Sequence, residues 1–299
     1  MTKNVAASVR QRLQNIAKET GRPFGEVLQY FAMERFLYRL SQAPFAKAFV
    51  LKGALLFRVW DTPDSRATRD IDFLAYMENT PEAVALVVKE SCDLPVENDG
   101  LVFDSDSIEA NSIKQDADYE GVRVKFRATL ENAIVTMQVD VGFGDTITPE
   151  ATEAEYPTLL EFEPPKIRIY PPETVVAEKA EAMVNLGAIN SRMKDFYDVW
   201  RMSRQFTFNS LVLQAAVKST FENRKTEVIP FTDLSSELLD DSERFERQWN
   251  AFVDKNELDA PSDFFEVLAA LEEVLSPIFS SIANSGSENK TWHAPGPWK

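Results

Sequence analysis

Apolar residues recur at helical spacing through the first 42 residues, where Val5, Val9 and Leu13 lie four positions apart. This spacing predicts two helices, over 2–20 and 24–42, because side chains three and four positions apart share one helix face. The segment Gly21-Arg-Pro23 separates them, as Gly and Pro interrupt helical patterns. We expect residues 1–45 to form a helical pair that packs on the following domain.

Strand-like patterns dominate residues 46–170. Short apolar runs or period-two alternation predict strands, and Pro81 is placed to begin a helix. The acidic, Pro-rich stretch 145–172 is typical of a linker or of an irregular crossing with one short strand. The predicted strands are 48–51, 70–76, 122–130, 133–142 and 166–170.

Helical spacing returns from Pro172 onward, and we expect residues 171–284 to form a helical domain that contributes to the active site. The last segment, 285–299, is rich in polar residues, Gly and Pro, and is predicted to be a flexible tail. The first helical pattern starts at Pro171-Pro172-Glu173 and recurs from Val175 to Leu186, and the others cover 192–206, 211–221, 242–252 and 262–282.

The strand that begins at Asp70 carries two carboxylates on one face, Asp70 and Asp72, and two apolar side chains on the other, Ile71 and Phe73. The Cα atoms of residues two apart in a strand are separated by about 7 Å, so both carboxylates can reach one divalent cation. A solvated edge strand would show the same pattern. Asp140 ends another predicted strand on its polar face, and would add a third carboxylate if the two strands are neighbours.

Three further positions stand out. Gly53 follows Lys52 at a predicted strand-to-helix turn, where a glycine lets backbone approach a phosphate, although a simple turn would look alike. Lys179 falls within an apolar helical stripe, either extending its ammonium from the stripe's edge or reaching a phosphate. Asp195 lies at the inward end of the next helix, whereas Lys194, Asp198 and Arg201 form a ladder suited to the surface.

The charge of −16 is unevenly distributed, since the first 60 residues carry ten Lys and Arg against three Asp and Glu, and residues 61–175 carry nine against twenty-five. A basic N-terminal part beside an acidic centre would suit a phosphate-rich partner, and ordinary surface charge on amphipathic helices explains it equally well. One cysteine and one histidine disfavour disulfides, Cys-cluster metal sites and Ser-His-Asp chemistry. The absence of a long apolar stretch predicts no membrane span, and we expect a cytoplasmic protein.

In these features the chain resembles the AbiEii/AbiGii toxin nucleotidyltransferases, relatives of the mycobacterial MenT toxins within the DNA polymerase β-like nucleotidyltransferase superfamily. The resemblance covers residues 47–200, and Gly53-Ala54 stands where the family usually has Gly-Gly or Gly-Ser. The matching pieces are Phe49-Val-Leu-Lys-Gly-Ala54, Arg66-x-Thr68-x-Asp70-x-Asp72-Phe73, Asp140, Glu178-Lys179 and Arg192-x-Lys194-Asp195-x-x-Asp198.

The resemblance implies an α+β fold, with a nucleotidyltransferase-like mixed β-sheet flanked by helices and a helical C-terminal part. It also implies transfer of a nucleoside monophosphate from an NTP to an acceptor hydroxyl, a tRNA 3′ end in the MenT relatives, and a cognate antitoxin. Asp70 and Asp72 would hold Mg²⁺ or Mn²⁺, and Asp140 would complete a second metal site or take the proton from the attacking hydroxyl. Asp195 would orient Lys179 or act as a further carboxylate, and these five residues would be the catalytic ones. The nucleotide would be bound by Lys52, Gly53, Arg66, Thr68 and Lys179.

Two alternatives remain open from the residues. A nucleotidyltransferase of this kind could modify a small molecule or a protein hydroxyl, and the basic N-terminal part favours a nucleic-acid acceptor only mildly. A non-catalytic binding or sensing module of a defence system could also keep this fold, because fold does not establish function.

Overall fold

The computed structural model describes residues 4–62, 66–116, 119–284, 286 and 288–299. Those residues fall into two compact units. The first unit is assembled from Met1–Asp61, Ala67–Gly144 and Thr152–Ile169, and the second from Thr62–Arg66, Asp145–Ala151 and Tyr170–Lys299. The predicted N-terminal helical pair therefore belongs to the same unit as the strands.

The first unit contains a seven-stranded mixed sheet, as the α+β expectation requires. Its strand order is β3-β4-β5-β2-β1-β7-β6; β2 pairs with β5, and β1 with β7, in parallel, and the other neighbours are antiparallel. The strands are β1 (Phe49–Lys52), β2 (Asp70–Ala75), β3 (Leu101–Asp116), β4 (Tyr119–Leu130), β5 (Ala133–Gly142), β6 (Thr152–Glu155) and β7 (Lys166–Ile169).

Helices pack against this sheet, through contacts that α1, α2 and α4 make with its strands. The helices are α1 (Val5–Thr20), α2 (Phe24–Gln42), α3 (Leu56–Val59) and α4 (Pro81–Asp93). Alternate residues of β4, including Phe126, are buried, and the ring of Phe36 on α2 lies 5.2 Å from that of Phe126. Because strand residues alternate between faces, the intervening β4 residues Arg123, Lys125 and Arg127 lie on the opposite face.

The basic excess of the N-terminal part is only partly at the surface. Arg35 and Arg39 are 1% and 5% exposed, and both bind the buried carboxylate of Asp99, with Arg39 donating to both of its oxygens. Lys52 is also buried. A buried ion pair compensates an internal charge and offers little to an outside partner, so the charge count overstates the cationic surface.

The second unit consists mainly of helices, and none of the helices among the described residues of the chain is long and apolar enough to cross a lipid bilayer. Helix α10 packs against α6, α7, α8 and α9 around buried aromatic side chains such as Phe264 and Phe279. The helices are α5 (Pro172–Leu186), α6 (Met193–Gln205), α7 (Ser210–Arg224), α8 (Phe231–Leu239), α9 (Ser242–Asn256) and α10 (Phe264–Ala283).

The end of the chain differs from the flexible tail that its composition suggests. Strand β9 (Thr291–Trp292) pairs with β8 (Phe208–Asn209), and Trp292 is 1% exposed. The indole Nε1 of Trp292 donates to the Ser203 carbonyl at 2.7 Å, and Trp298 packs its ring 5.6 Å from that of Trp292. Burial of the Trp292 indole and its contact with the partly buried Trp298 stabilise this segment, which the polar composition of the segment did not indicate. Ser285 and Ser287, within the same predicted tail, lie outside the described residues.

Candidate active site

Three carboxylates converge on the sheet of the first unit. The parallel register places Asp72 of β2 opposite Asp140 of β5, and Asp70 opposite Gln138. One oxygen from each of Asp70, Asp72 and Asp140 can be chosen so that all three lie within 4.8 Å of one another. The two strands are therefore neighbours, which was the condition for a third carboxylate, and we call these three residues the acidic triad.

The opposite side chains of β2 fix this orientation. Ile71 and Phe73 are 0% and 1% exposed, and the Phe73 ring meets that of Phe49 edge-on at 5.5 Å. A slip of one residue would bury the carboxylates and expose both apolar side chains, so the hydrophobic core holds Asp70 and Asp72 on the other face. Three hard oxygen donors in this arrangement fit Mg²⁺ or Mn²⁺.

The turn after β1 lies directly against the acidic triad. Lys52 is the register partner of Asp72 across the antiparallel β1–β2 pair. Gly53 has a φ of +74°, and a Cβ there would fall 2.8 Å from Cγ of Asp72. The glycine is thus required by its conformation and by the carboxylate beside it. A 3-10 turn over Gly53–Leu55 follows, and then the four-residue helix α3. This helical segment is shorter than the helix that was expected to supply N–H donors to a phosphate.

Thr68 contacts the acidic triad, and the nucleotide binding that the resemblance implies for it stays a prediction. Its hydroxyl donates to Oδ1 of Asp70, and its backbone N–H donates to the Tyr30 hydroxyl at 3.1 Å. Thr68 is buried, so the surrounding residues fix the position of its side chain. In this structure Thr68 holds the first carboxylate in place.

Arg123 of β4 is a site residue that the sequence analysis missed. Its Nε and Nη2 donate to Oδ1 and Oδ2 of Asp140 at 2.8 and 2.7 Å. Hydrogen bonding to Asp140 raises the pKa of Arg123 against the opposing effect of burial, and the charges of Asp140, Asp70 and Asp72 raise it further. The alternation of β4 gave the available signal, since it placed Arg123 on the polar face.

A second charged cluster lies in the second unit and contains Lys179. Its ammonium lies 2.8 Å from Oδ1 of Asp195 and 2.7 Å from Oδ2 of Asp198, and the side chain keeps 13% of its accessible surface. Arg66 donates from Nε and Nη2 to the two oxygens of Asp198, both at 3.1 Å, and Arg192 Nε lies 2.8 Å from Oδ2 of Asp195. We call these five residues the lysine cluster.

The ion pairs of the lysine cluster keep its groups charged. Burial would raise the pKa of Asp198, but the positive charges of Arg66 and Lys179 outweigh it and hold that pKa below the ordinary value. The same balance, with Lys179 and Arg192 as partners, lowers the pKa of Asp195. Burial would lower the pKa of Lys179, yet the two carboxylates raise it above the ordinary value.

The surface position predicted for Asp198 is wrong. Asp198 is 1% exposed, because Arg66 and Lys179 together satisfy its carboxylate in the interior. The predicted pairing of Asp195 with Lys179 is present, and Arg66 engages Asp198. The acidic triad and the lysine cluster belong to different units, and their joint action stays a prediction.

The model of one protein family, described as "Nucleotidyl transferase AbiEii toxin, Type IV TA system", matches residues 35–275. The chain belongs to the AbiEii nucleotidyltransferase toxin family. It is therefore a nucleotidyltransferase of a toxin–antitoxin family, whose members generally use an NTP and a divalent metal and are paired with an antitoxin.

Two solved structures from Helicobacter pylori are similar to this AbiEii-family chain. JHP933 is 16% identical, with a TM-score of 0.47, over 87% of this chain and 94% of its own. A protein described as a "putative nucleotidyltransferase" is 17% identical, with a TM-score of 0.46, over 88% of this chain and 98% of its own. No curated protein matches the chain.

Proposed function

We propose that this AbiEii-family protein transfers a nucleoside monophosphate from an NTP to an acceptor hydroxyl, with a tRNA 3′ end as the acceptor. The observation that carries the proposal is the convergence of Asp70, Asp72 and Asp140 within 4.8 Å. The family supplies the toxin role and the antitoxin partner, and the tRNA acceptor rests on the resemblance to the MenT relatives.

The acidic triad would hold the divalent cation, Mg²⁺ or Mn²⁺, because its oxygen donors are those such ions prefer. When bound, such an ion neutralises triphosphate charge and stabilises the charge that develops on the departing pyrophosphate. Gly53 and Thr68 keep the carboxylates of Asp72 and Asp70 in place, through close packing and a hydrogen bond respectively.

In the reaction, the acceptor hydroxyl oxygen bonds to the α-phosphorus, and the bond from that phosphorus to the bridging oxygen breaks. The hydroxyl proton passes to a carboxylate or to water, and Asp140 is the proposed acceptor. Lys179, Lys52 and Arg66 would stabilise negative charge on the phosphates. Lys179 is suited to this task because Asp195 and Asp198 fix its ammonium, which has three N–H donors, at a defined position.

A labelling experiment tests the reaction and its acceptor. Purified protein would be incubated with each NTP labelled at the α-phosphate, Mg²⁺, and either total tRNA or soluble cell protein. We expect label in tRNA, lost with a chelator and with the Asp72→Asn variant. Label in protein or in a small molecule would show that the acceptor is not tRNA, and the proposed nucleotidyl transfer would stand. Absence of transfer to every fraction, together with a biological effect that survives Asp70→Ala, would favour a non-catalytic module.

A further inference from the structure

Arg123 occupies both oxygens of the third triad carboxylate. The fork from Nε and Nη2 to Asp140 is the geometry in which guanidinium binds carboxylate most strongly, and Gln138 Nε2 adds a bond to Oδ2 at 3.3 Å. Asp140 is 5% exposed, whereas the Arg123 side chain is 39% exposed. The carboxylate of Asp140 is therefore fixed in the sheet, and the guanidinium of Arg123 contacts it from the solvent side.

The position of Arg123 also answers an electrostatic problem of the triad. Three carboxylates with oxygens within 4.8 Å repel one another, and the structure relieves this with a guanidinium on Asp140. A divalent cation would relieve the same repulsion from the same oxygens. Two cations that share one carboxylate repel each other, so each weakens the binding of the other.

We propose that Arg123 is an internal counter-ion of the acidic triad, which competes with the divalent cation for Asp140 and positions that carboxylate until the divalent cation binds. This inference rests on the proposed function, because it takes the triad as the metal site. Arg123 acts through Asp140 and is a positioning residue. As a consequence of this competition, the protein binds a free divalent cation more weakly than the three carboxylates would without Arg123.

The open face of β4 offers a matched control. Arg127 lies four residues further along the same face and pairs with Asp104 at 3.1 Å, outside the triad. Arg127→Gln therefore removes an arginine with a carboxylate partner from the same strand and leaves Asp140 untouched. Arg123→Lys keeps a positive charge at residue 123 and loses the two-bond contact of the guanidinium with Asp140.

The test is a titration of the full chain with Mn²⁺ alone, in which the concentration of free Mn²⁺ is measured by electron paramagnetic resonance. Arg123→Gln should lower the dissociation constant by about tenfold, since one competing charge is removed. Arg123→Lys should lower it by less than Arg123→Gln, and Arg127→Gln should leave it within about twofold of wild type, as expected for an exposed pair. Asp72→Asn should abolish saturable binding.

The outcomes separate this inference from the function on which it rests. If Asp72→Asn abolishes Mn²⁺ binding but Arg123→Gln leaves the constant unchanged or raises it, the counter-ion role is wrong and the triad remains the metal site. If wild type binds no Mn²⁺, or Asp72→Asn binds it equally well, both ideas are wrong.

A second readout protects the test against a variant that does not fold. In ¹⁵N-labelled wild type, the Nε–H resonance of Arg123 should shift on saturation with Mg²⁺, because its bond to Asp140 is perturbed, and that of Arg127 should stay in place. An Arg123 resonance that does not respond to saturating Mg²⁺ would overturn the proposal without any variant.

Discussion

Gly53 and Asp72 are in such close contact that the backbone at residue 53 has no room for a side chain. A Cβ would approach Cγ of Asp72 to 2.8 Å, and the φ of +74° is one that L side chains rarely adopt. Either the turn after β1 or the carboxylate of Asp72 must move if residue 53 gains a methyl group. The glycine of the Lys52-Gly53 pair thus shapes the acidic triad directly.

Gly53→Ala should impair the metal site and the fold together. We expect a loss of about 3 kcal/mol in the free energy of unfolding, measured by urea denaturation, and weaker Mn²⁺ binding, because strain and a steric clash add. Gly21→Ala is the control, since Gly21 has a φ of +70° with no atom near its Cβ position. It should lose about 1 kcal/mol and keep its Mn²⁺ affinity. Equal losses of stability and of Mn²⁺ affinity in the two variants would contradict the close contact between Gly53 and Asp72.

Induced expression should arrest bacterial growth if the protein is an active toxin. Asp72→Ala should relieve the arrest because it removes a triad carboxylate, and Lys179→Ala should relieve it because it removes the proposed phosphate ligand. Asp104→Ala, which removes an acid that pairs with Arg127 away from the triad, should stay toxic. Growth curves with expression matched by immunoblot provide the measurement. Full toxicity of both site variants would count against the transferase mechanism.

Asp198 should matter for stability more than an ordinary acid does. Asp198→Asn withdraws a negative charge shared by Arg66 and Lys179, and should lower the free energy of unfolding by about 3 kcal/mol, because two partly buried cations lose their common, fully buried partner. Glu222→Gln, which breaks an exposed pair with Lys218, should cost less than about 0.5 kcal/mol. Denaturant curves of both variants decide the point. A cost for Asp198→Asn as small as the control's would show that the cluster contributes little to folding.

Glu34 should make the stability fall as pH rises. Burial raises the pKa of Glu34 to about 7 from its ordinary 4.5, against the opposing effects of the Leu159 N–H and Arg35. The folded state therefore keeps a proton that the unfolded state has released, and stabilisation is lost as pH rises from 4.5 to 7.

Relative to Glu34→Gln, the wild-type free energy of unfolding should decrease by about 3 kcal/mol between pH 5 and pH 8. The amide introduced by that substitution keeps an oxygen for the Leu159 N–H and does not titrate, so the difference isolates the carboxyl group of Glu34. Thermal denaturation across this pH range provides the measurement. Parallel profiles for the two proteins would mean that Glu34 ionises normally.

Part of the fold followed from the sequence because its signals are local. The alternation of 122–130 and 133–142 predicted β4 and β5, since one face of each strand packs on helices. Strands β3 and β6 were missed for a physical reason: they lie at the two edges of the sheet, where weak burial leaves polar sequences without a hydrophobic face.

The site was harder to predict where it depends on distant pairing. Asp70 and Asp72 could be assigned to one face from period two alone, but the neighbour relation of β2 and β5 is a long-range parallel pairing that no local pattern encodes. Arg123 became a site residue only through the β4–β5 register. Asp198 was misplaced because helical periodicity identifies charges without identifying their buried partners.

The parallel pairing of β2 with β5 also bears on when the protein becomes active during synthesis. The Asp70 strand is made early, yet its partner strand follows only after α4 and the long β3 and β4 have been made. A ribosome-bound fragment that ends before residue 140 lacks the third carboxylate and a complete β5, and so cannot form the whole metal site. Under the proposed function, the nascent chain therefore acquires its complete metal site only after residue 140 has been made and β5 has paired with β2.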